Sequence, residues 1–264
     1  MDDYERRIQN EIAFHDARFG GGDALRQPAA KYYSVTDAAR DYYRTRVLSR
    51  SAGAAVLEYG CGAESDFHIW EEAGAMVTGI DISPVAVKLA ADQADKRGLK
   101  ARFETMNAEK LTYPDSSFDM IVGSGIIHHL SLDKCYAEIY RVLRPGGVAV
   151  FFEPMGHNPI INLYRRLTPN MRTADEHPLL LADIALARSF FGAVEARFFV
   201  GTSLLAVPLR NTVIGGFIRR LLNSIDQWLF RLFPISRRLA WIVVLELKKS
   251  SSPEEGNGDL RTVL

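Results

Sequence analysis

The sequence predicts an α/β fold built on a mostly parallel sheet with helices on both faces. From residue 54 onward, apolar runs of strand length alternate with helical patterns, as in strands joined by crossover helices. The first run, residues 54–59, ends in a loop with glycines at 60 and 62, and the second, 76–81, ends in an acid. A glycine-rich loop and an acid in these places are typical of a nucleotide-type cofactor site.

The other elements follow in chain order. Ser83 and Pro84 are suited to cap and begin a helix that ends at Gly98. The fourth strand is nearly all apolar and is therefore expected at the centre of the sheet. Strands three to seven are predicted at residues 101–105, 118–123, 148–152, 195–200 and 241–248, with helices at 66–73, 84–97, 132–143 and 182–191.

Composition limits the function classes. The 264 residues contain 47% hydrophobic residues, enough for one sizeable core, and 32 basic against 32 acidic residues. The chain has no excess of basic residues, which argues against a nucleic-acid partner. Cys61 and Cys135 lack metal-ligand spacing and indicate a reducing compartment. The charged N-terminus resembles no signal peptide and no apolar run could span a bilayer, so we expect a cytoplasmic protein.

Three regions make up the predicted domain organisation. Residues 1–50 form an N-terminal helical segment, either packed on the edge of the domain or acting as a lid that supplies His15 or Tyr33. Residues 51–249 form the cofactor-binding domain, with insertions at about 154–181 and 201–238. The polar tail, 250–264, is predicted to be disordered.

The chemistry of the glycine loop selects the cofactor. Glu58 precedes the loop and Glu64 follows it. Two carboxylates would repel the pyrophosphate of a dinucleotide, and the lysine of a phosphate-binding loop is absent. They would attract the ammonium and sulfonium of S-adenosylmethionine (SAM), which is therefore the predicted cofactor.

Taken together, these segments resemble the class I SAM-dependent methyltransferases, in particular a bacterial branch with ubiquinone-biosynthesis and natural-product enzymes. The resemblance covers residues 54 to about 153. It implies a Rossmann-like, seven-stranded sheet with strand seven antiparallel, plus helical lid elements. The motifs that carry it are Glu58-x-Gly60-x-Gly62, Asp81, Asn107-Ala108-Glu109 and Arg144-Pro145-Gly146-Gly147.

The resemblance also implies a role for each matched residue. Glu58 would act through the loop on the methionine ammonium, and Ser124 would meet the methionine moiety. His129 would orient the cofactor or support the structure. Glu64 departs from the small residue that the family often has there. The predicted cofactor-binding residues are Glu58, Gly60, Cys61 and Gly62 of the loop, Asp81 on the ribose, Ile82, Asn107 and Ala108 at the adenine, Ser124 and His129.

Histidines are the candidate general bases. Methyl transfer needs a base only if the nucleophile must lose a proton, and histidine titrates near working pH. His128, His157 and His15 are the predicted catalytic residues, with His157 and His177 alternatively fixing a loop. Residues 153, 157, 175, 176 and 177 match no metal-ligand spacing, so no metal is predicted.

An amphipathic stretch at about 213–233 has three interpretations. It packs on the protein's own lid or on a second copy in a homodimer, forms a wall for an apolar substrate, or lies in a membrane interface with the help of nearby arginines.

The sequence thus predicts an enzyme that moves the methyl group of SAM to an oxygen or carbon of a small hydrophobic metabolite, lipid-like or a natural product. The Asn/Asp-Pro-Pro-Tyr segment of base methyltransferases is missing, which argues against a nucleic-acid acceptor. The alternatives are a SAM-dependent, methylation-triggered cyclase and an inactive SAM-binding partner subunit.

Overall fold

The computed structural model describes residues 3–21, 30–63, 65–169 and 176–251. The strands are β1 (Ala55–Tyr59), β2 (Met76–Asp81), β3 (Arg102–Thr105), β4 (Phe118–Ser124), β5 (Leu143–Pro154), β6 (Ala193–Phe199) and β7 (Ile242–Lys248). The helices are α1 (Asp3–Gly20), α2 (Ala30–Tyr33), α3 (Asp37–Leu48), α4 (Phe67–Glu72), α5 (Pro84–Arg97), α6 (Leu132–Val142), α7 (Pro159–Leu167), α8 (Leu181–Ala187) and α9 (Gly215–Leu232).

The seven strands form one sheet in the order β3-β2-β1-β4-β5-β7-β6. The first five pair in parallel, whereas β7 is antiparallel to both β5 and β6. The predicted Rossmann-like fold class, with its antiparallel seventh strand, is therefore confirmed.

Two hydrophobic cores cover the two faces of this sheet. Successive residues of a strand point to opposite faces, and β1 shows this, since Leu57 and Tyr59 belong to one core and Val56 to the other. Helix α6 packs on the first face, and α3 with α4 packs on the second. All three of these β1 side chains are fully buried.

Local sequence signals account for the boundaries of α5. The Ser83 side chain accepts a hydrogen bond from the Ala86 N–H at the N-cap, and Pro84 occupies the first turn. Gly98 ends the helix with φ of 67°, a conformation that costs glycine little. Other boundaries differ from the prediction: α8 ends at Ala187 instead of 191, and β5 begins at Leu143, before the Arg-Pro-Gly-Gly turn.

The connection between β6 and β7 contains α9 and two 3₁₀ segments, Thr202–Leu209 and Pro234–Leu239. Asp226 of α9 is an acid inside the protein, only 1% exposed. Its carboxylate accepts hydrogen bonds from the backbone N–H groups of Gly201, Thr202 and Ser203. These amides begin a 3₁₀ segment and lack partners within it, so a buried carboxylate at this place is stabilised.

Some predicted features lie outside the described residues: Gly22 and Pro28 in the N-terminal break, Glu64 in the loop, Asp175 in the first insertion, and residues 252–264 of the tail. In the described part of the chain, no helix has the length and apolar character needed to cross a membrane.

Candidate active site

A cavity of about 740 Å³ opens at the carboxyl ends of the parallel strands. Ligands of open α/β sheets bind at this edge. Residues that end β1, β2, β4 and β5 form its floor, and α1, α2 and α7 contribute its roof and sides. Its size is in the range of cavities that hold drug-sized ligands, roughly 300 to 1,000 Å³.

The glycine loop after β1 brings backbone to the cavity surface. Gly60 and Gly62 have φ of 65° and 53°, in the left-handed region that favours glycine. A Cβ atom on Gly60 would lie 2.8 Å from the Cδ1 of Ile126. Burial raises the pKa of Glu58, at the end of β1, to about 8, partly opposed by a hydrogen bond from the Ser65 hydroxyl. A buried acid is thus ready to ionise beside a bound cation.

Asp81 ends β2 and is fixed by two backbone amides. Its Oδ2 accepts from the Gly62 N–H and its Oδ1 from the Ser83 N–H, both at 2.9 Å. Burial raises the pKa of this carboxyl, and the two hydrogen bonds partly offset that rise. The neighbouring Ile82 also lines the cavity. Because each carboxylate oxygen has a second lone pair, Asp81 can still accept ligand hydroxyls.

Helix α1 lies over the segment that follows β3. The Asn107 side-chain amide donates to the Tyr4 hydroxyl at 3.0 Å, and the Arg7 guanidinium pairs with Glu109 at 2.6 Å. Asn107 and Ala108 both line the cavity. Residues 3–20 are therefore anchored over the predicted adenine segment, which supports the lid interpretation of the N-terminal helix.

His128 and Glu153 form a buried pair at the ends of β4 and β5. The His128 Nδ1 lies 2.7 Å from the Glu153 Oε2, while the Glu153 Oε1 accepts from the Ile126 and Ile127 N–H groups. Burial raises the pKa of Glu153 to about 7, although these backbone hydrogen bonds oppose the rise. Glu153 thus orients the imidazole of His128, which lines the cavity.

A second carboxylate faces the other nitrogen of His128. The Glu176 Oε1 lies 3.9 Å from the His128 Nε2 and 2.8 Å from an Arg165 guanidinium nitrogen. Burial would raise the pKa of Glu176, but the His128 and His129 imidazoles and the hydrogen-bonded Arg165 guanidinium lower it more, so the pKa falls below its ordinary value. His128 therefore stands between two acids at the cavity wall.

Two triads of imidazoles and carboxylates could hold a divalent cation. They are Glu11 with His15 and His129, and His128 with His129 and Glu176, each with ligand atoms within 4.8 Å of one another. His129 belongs to both and its buried Nδ1 has no hydrogen-bond partner among the described residues. Imidazole and carboxylate together suit transition metals. The prediction of no metal stays a prediction.

The structure separates the three predicted catalytic histidines. His15 and His128 line the cavity, and the His15 ring lies 5.5 Å from that of His129. His157 is not among the described residues that line the cavity, and its Nε2 accepts a hydrogen bond from the Leu181 N–H. His157 therefore fixes the loop that leads into α8, the alternative role considered for it.

The remaining predicted cofactor residues, Cys61, Ser124 and His129, also line the cavity. Burial raises the pKa of the Cys61 thiol well above its ordinary value, so this cysteine contributes a small neutral side chain.

An aromatic and aliphatic wall closes the far side of the cavity. Tyr32 packs on Tyr164 with ring centroids 4.8 Å apart, and Tyr33 on Trp241 at 5.4 Å. Phe152, Ile161 and Ile242 complete the apolar lining, and Arg40 and Arg165 are its cations. This wall suits a largely apolar ligand that carries a hydrogen-bond acceptor.

Sequence reasoning missed several of these residues. Glu153 ends an apolar strand just as Asp81 does, and that signal alone could have placed it at the same edge. Trp241 precedes β7, whose antiparallel direction brings its start to the carboxyl ends of the other strands. No local signal points to Arg165 or Tyr164, which come from the insertion.

Comparison with known proteins identifies the class. Residues 57–151 match a family model described as a methyltransferase domain. A sterol 24-C-methyltransferase from Gibberella zeae is 32% identical over 145 residues, covering 53% of this chain and 36% of that protein. A demethylmenaquinone methyltransferase from Thermus thermophilus is 38% identical over 81 residues, covering 30% of this chain and 37% of that protein. The alignments thus span little more than a third of these two relatives.

A solved structure supports the same fold. Phosphoethanolamine N-methyltransferase 2 from Haemonchus contortus, in complex with S-adenosyl-L-methionine, superposes with a TM-score of 0.57 at 19% identity, covering 78% of this chain and 52% of that one. Residues 57–151 thus carry a methyltransferase domain, as the resemblance implies, and the fold is shared with a SAM-bound methyltransferase. The relatives are fungal as well as bacterial, so they do not single out the bacterial branch.

Proposed function

We propose that this chain binds SAM at the glycine loop and transfers its methyl group to an oxygen or carbon of an apolar acceptor. The observation that carries the proposal is the continuity of one cavity. It joins the Gly60 loop and Asp81 to the His128–Glu153 pair and to an aromatic wall. The same space therefore offers a cofactor end, a base and an apolar acceptor end.

The residues of the cofactor end fit SAM. The left-handed Gly60 and Gly62 leave room for a ligand beside the backbone, and the buried Glu58 suits an ammonium group. Asp81 would hold the ribose hydroxyls, and Asn107 with Ala108 would contact the adenine. When bound, SAM supplies a methyl group that is already activated on a sulfonium.

His128 would take the proton of the acceptor. With the proton on Nδ1, held there by the Glu153 carboxylate, the Nε2 on the other side of the ring would accept a proton from a hydroxyl or an acidic carbon. Glu153 then stabilises the imidazolium that forms. The aromatic wall excludes water and orients the acceptor, and such positioning accounts for much of the rate of a displacement reaction.

The names of the relatives favour an apolar acceptor with a ring system. The two curated relatives are named for methyl transfer to a sterol and to demethylmenaquinone. The Tyr32, Tyr33 and Trp241 side chains offer flat apolar surfaces on which such rings could stack. Two buried free cysteines fit a reducing, cytoplasmic location.

The test has two parts. Calorimetry should show SAM binding to the wild type, weakened roughly ten- to hundredfold in Asp81→Ala, because each hydrogen bond to a charged group contributes about 1.5 to 3 kcal/mol. Asp95→Ala, on the exposed face of α5, is the matched control. Labelled SAM incubated with an apolar metabolite extract should yield methylated product. Unchanged SAM affinity in Asp81→Ala would refute the cofactor site, and binding without turnover would favour an inactive partner subunit.

A further inference from the structure

The outer face of α9 carries a row of large apolar side chains. Phe217, Leu221, Ile225, Trp228 and Leu232 are 63%, 50%, 38%, 58% and 51% exposed. Spacings of three and four residues place them on one stripe of the helix. The opposite face is already used, since Asp226 and Phe230 are buried. A stripe of this size on a protein surface indicates an interaction site.

The surface around this stripe is cationic. Residues 210–239 contain six arginines and a single acid, Asp226. That acid is buried and its oxygens accept hydrogen bonds from residues 201–203. Arg220, Arg231 and Arg238 are exposed, and helical geometry places the first two along one edge of the stripe. Between residues 210 and 239 the exposed charges are therefore all positive, although Arg219 is paired with Asp37.

A second apolar patch lies on α7. Ile160, Leu163 and Leu167 on α7 are 54%, 59% and 72% exposed. The start of α7 lies beside the end of the second 3₁₀ segment. The two are joined by Asn158, the N-cap residue of α7, whose side chain donates a hydrogen bond to the Leu239 carbonyl. The other side of α7 lines the cavity with Ile161 and Tyr164. One short helix thus separates the exposed apolar patch from the acceptor end of the cavity.

We infer that α9 and α7 dock this chain on the surface of an anionic lipid bilayer. An interfacial helix combines an apolar face with flanking arginines, as α9 does, and lies in the plane of the headgroups without crossing the membrane. The inference goes beyond the proposed function and does not depend on it.

A second copy of the chain fits this face less well. In a two-fold dimer the same patch meets itself, so the arginines of one copy would face those of the other. No exposed acid between residues 210 and 239 could pair with them. An anionic bilayer would neutralise these charges and cover the apolar stripe at the same time.

Vesicle binding of the full chain tests the inference. The chain should sediment with vesicles of phosphatidylcholine that contain about one third phosphatidylglycerol, and much less with pure phosphatidylcholine. Binding should weaken as salt rises from about 0.1 M to about 0.5 M. Trp228 is the exposed tryptophan, whereas Trp70 and Trp241 are buried, so binding should shift the emission to shorter wavelength, and Trp228→Phe should lose that shift.

Two double variants separate the contributions. Arg220→Gln with Arg231→Gln should weaken binding to anionic vesicles roughly 25-fold, about fivefold for each arginine. Phe217→Ser with Trp228→Ser should weaken it at least about tenfold. The matched controls are Met76→Ser, 64% exposed, and Arg97→Gln with Lys100→Gln, exposed at the opposite edge of the sheet. Both should bind like the wild type.

Several results would overturn the inference. One is absence of binding to either vesicle, and another is equal binding to both. A third is equal loss of binding in the control variants. A fourth is a stable dimer in solution that falls apart in the double variant Phe217→Ser with Trp228→Ser. A second copy of the chain would then occupy this face. Unchanged thermal unfolding of each variant shows that a loss of binding is not a loss of folding.

Discussion

Replacement of Glu153 by glutamine tests the catalytic pair without changing its shape. The Glu153 Oε1 already accepts from two backbone N–H groups, at 2.9 and 3.1 Å. The glutamine oxygen would keep that place, which directs its NH₂ group toward the His128 Nδ1. Nδ1 must then accept a hydrogen bond, so the neutral imidazole carries its proton on Nε2. His128 would lose the lone pair that faces the cavity.

The expected loss follows from the role of a general base. Such a base contributes about 10² to 10⁴ in rate, and a wrong tautomer removes most of that contribution. We expect the methyl-transfer rate to fall by about 10² to 10³, or about 3 to 4 kcal/mol of transition-state stabilisation. SAM affinity should stay within about threefold, because Glu153 is not among the predicted cofactor-binding residues.

The free energy of unfolding should rise in Glu153→Gln at neutral and alkaline pH, although the rate falls. Burial raises the pKa of Glu153 from 4.5 to about 7. The folded state therefore holds the proton more tightly than the unfolded state, and stability is lost as the pH rises from about 4.5 to about 7. The loss reaches about 3 kcal/mol above pH 7. Glutamine cannot ionise, so the variant should unfold at a higher temperature than the wild type at pH 8, and at about the same temperature at pH 4.5.

The assay follows the labelled methyl group of SAM into an apolar extract, with calorimetry for SAM binding and thermal unfolding at both pH values. Glu72→Gln, at an exposed position of α4, is a control for the same change outside the cavity. A variant that folds, binds SAM and keeps more than about half of the wild-type rate would refute the assignment of His128 as a base oriented by Glu153.

Two further predictions concern the cofactor loop. A bound ammonium favours the Glu58 carboxylate, whose pKa burial raises to about 8, so SAM affinity should rise up to about tenfold per pH unit between pH 6 and 8. Glu58→Gln should flatten this rise in calorimetry, and an unchanged slope would contradict it. Gly60→Ala should cost more unfolding free energy than Gly98→Ala. Both glycines have positive φ, but only at Gly60 does a Cβ meet a neighbour, Ile126, within 4 Å. The conformational cost shared by both variants is about 1 to 2 kcal/mol, and the contact with Ile126 adds about 1 to 3 kcal/mol at Gly60. If chemical denaturation shows equal losses of unfolding free energy in the two variants, Ile126 moves aside.

The cofactor end could be predicted because its residues follow strands. Gly60 follows β1 directly, Asp81 is the last residue of β2, and Asn107 lies two residues after β3. Parallel strands end at the same edge of a sheet, so residues at those positions meet in space even though they are far apart in sequence. The pattern of apolar runs therefore places Gly60 and Asp81 at one edge, whereas the role of Asn107 is implied by the resemblance.

The acceptor end could not be predicted in the same way. Arg165 and Glu176 come from the insertion after β5 and pair with each other, and His128, which faces Glu176, comes from the loop after β4. No period or spacing relates these positions, because the insertion packs through side chains instead of a strand ladder. His157 is accordingly the predicted base from this insertion, although its Nε2 accepts a hydrogen bond from the Leu181 N–H, and Glu176 is considered only as a metal ligand.

Helix α9 shows a different limit. Its period predicts a helix correctly, but apolar residues occur on both sides, and periodicity alone cannot tell which side faces the protein. The deciding contact is polar: Asp226 satisfies three backbone amides at the start of the first 3₁₀ segment. That contact turns Phe217 and Trp228 outward.

Charge is distributed unevenly along the cavity, and this bears on the chemistry. The acids Glu58 and Asp81 lie at the cofactor end, with Arg18 nearby, whereas the acceptor wall holds Arg40 and an Arg165 that is paired with Glu176. The buried Glu58 would therefore stabilise a cationic cofactor at the glycine loop. At the other end, Arg40 would stabilise an acceptor that develops negative charge as His128 removes its proton.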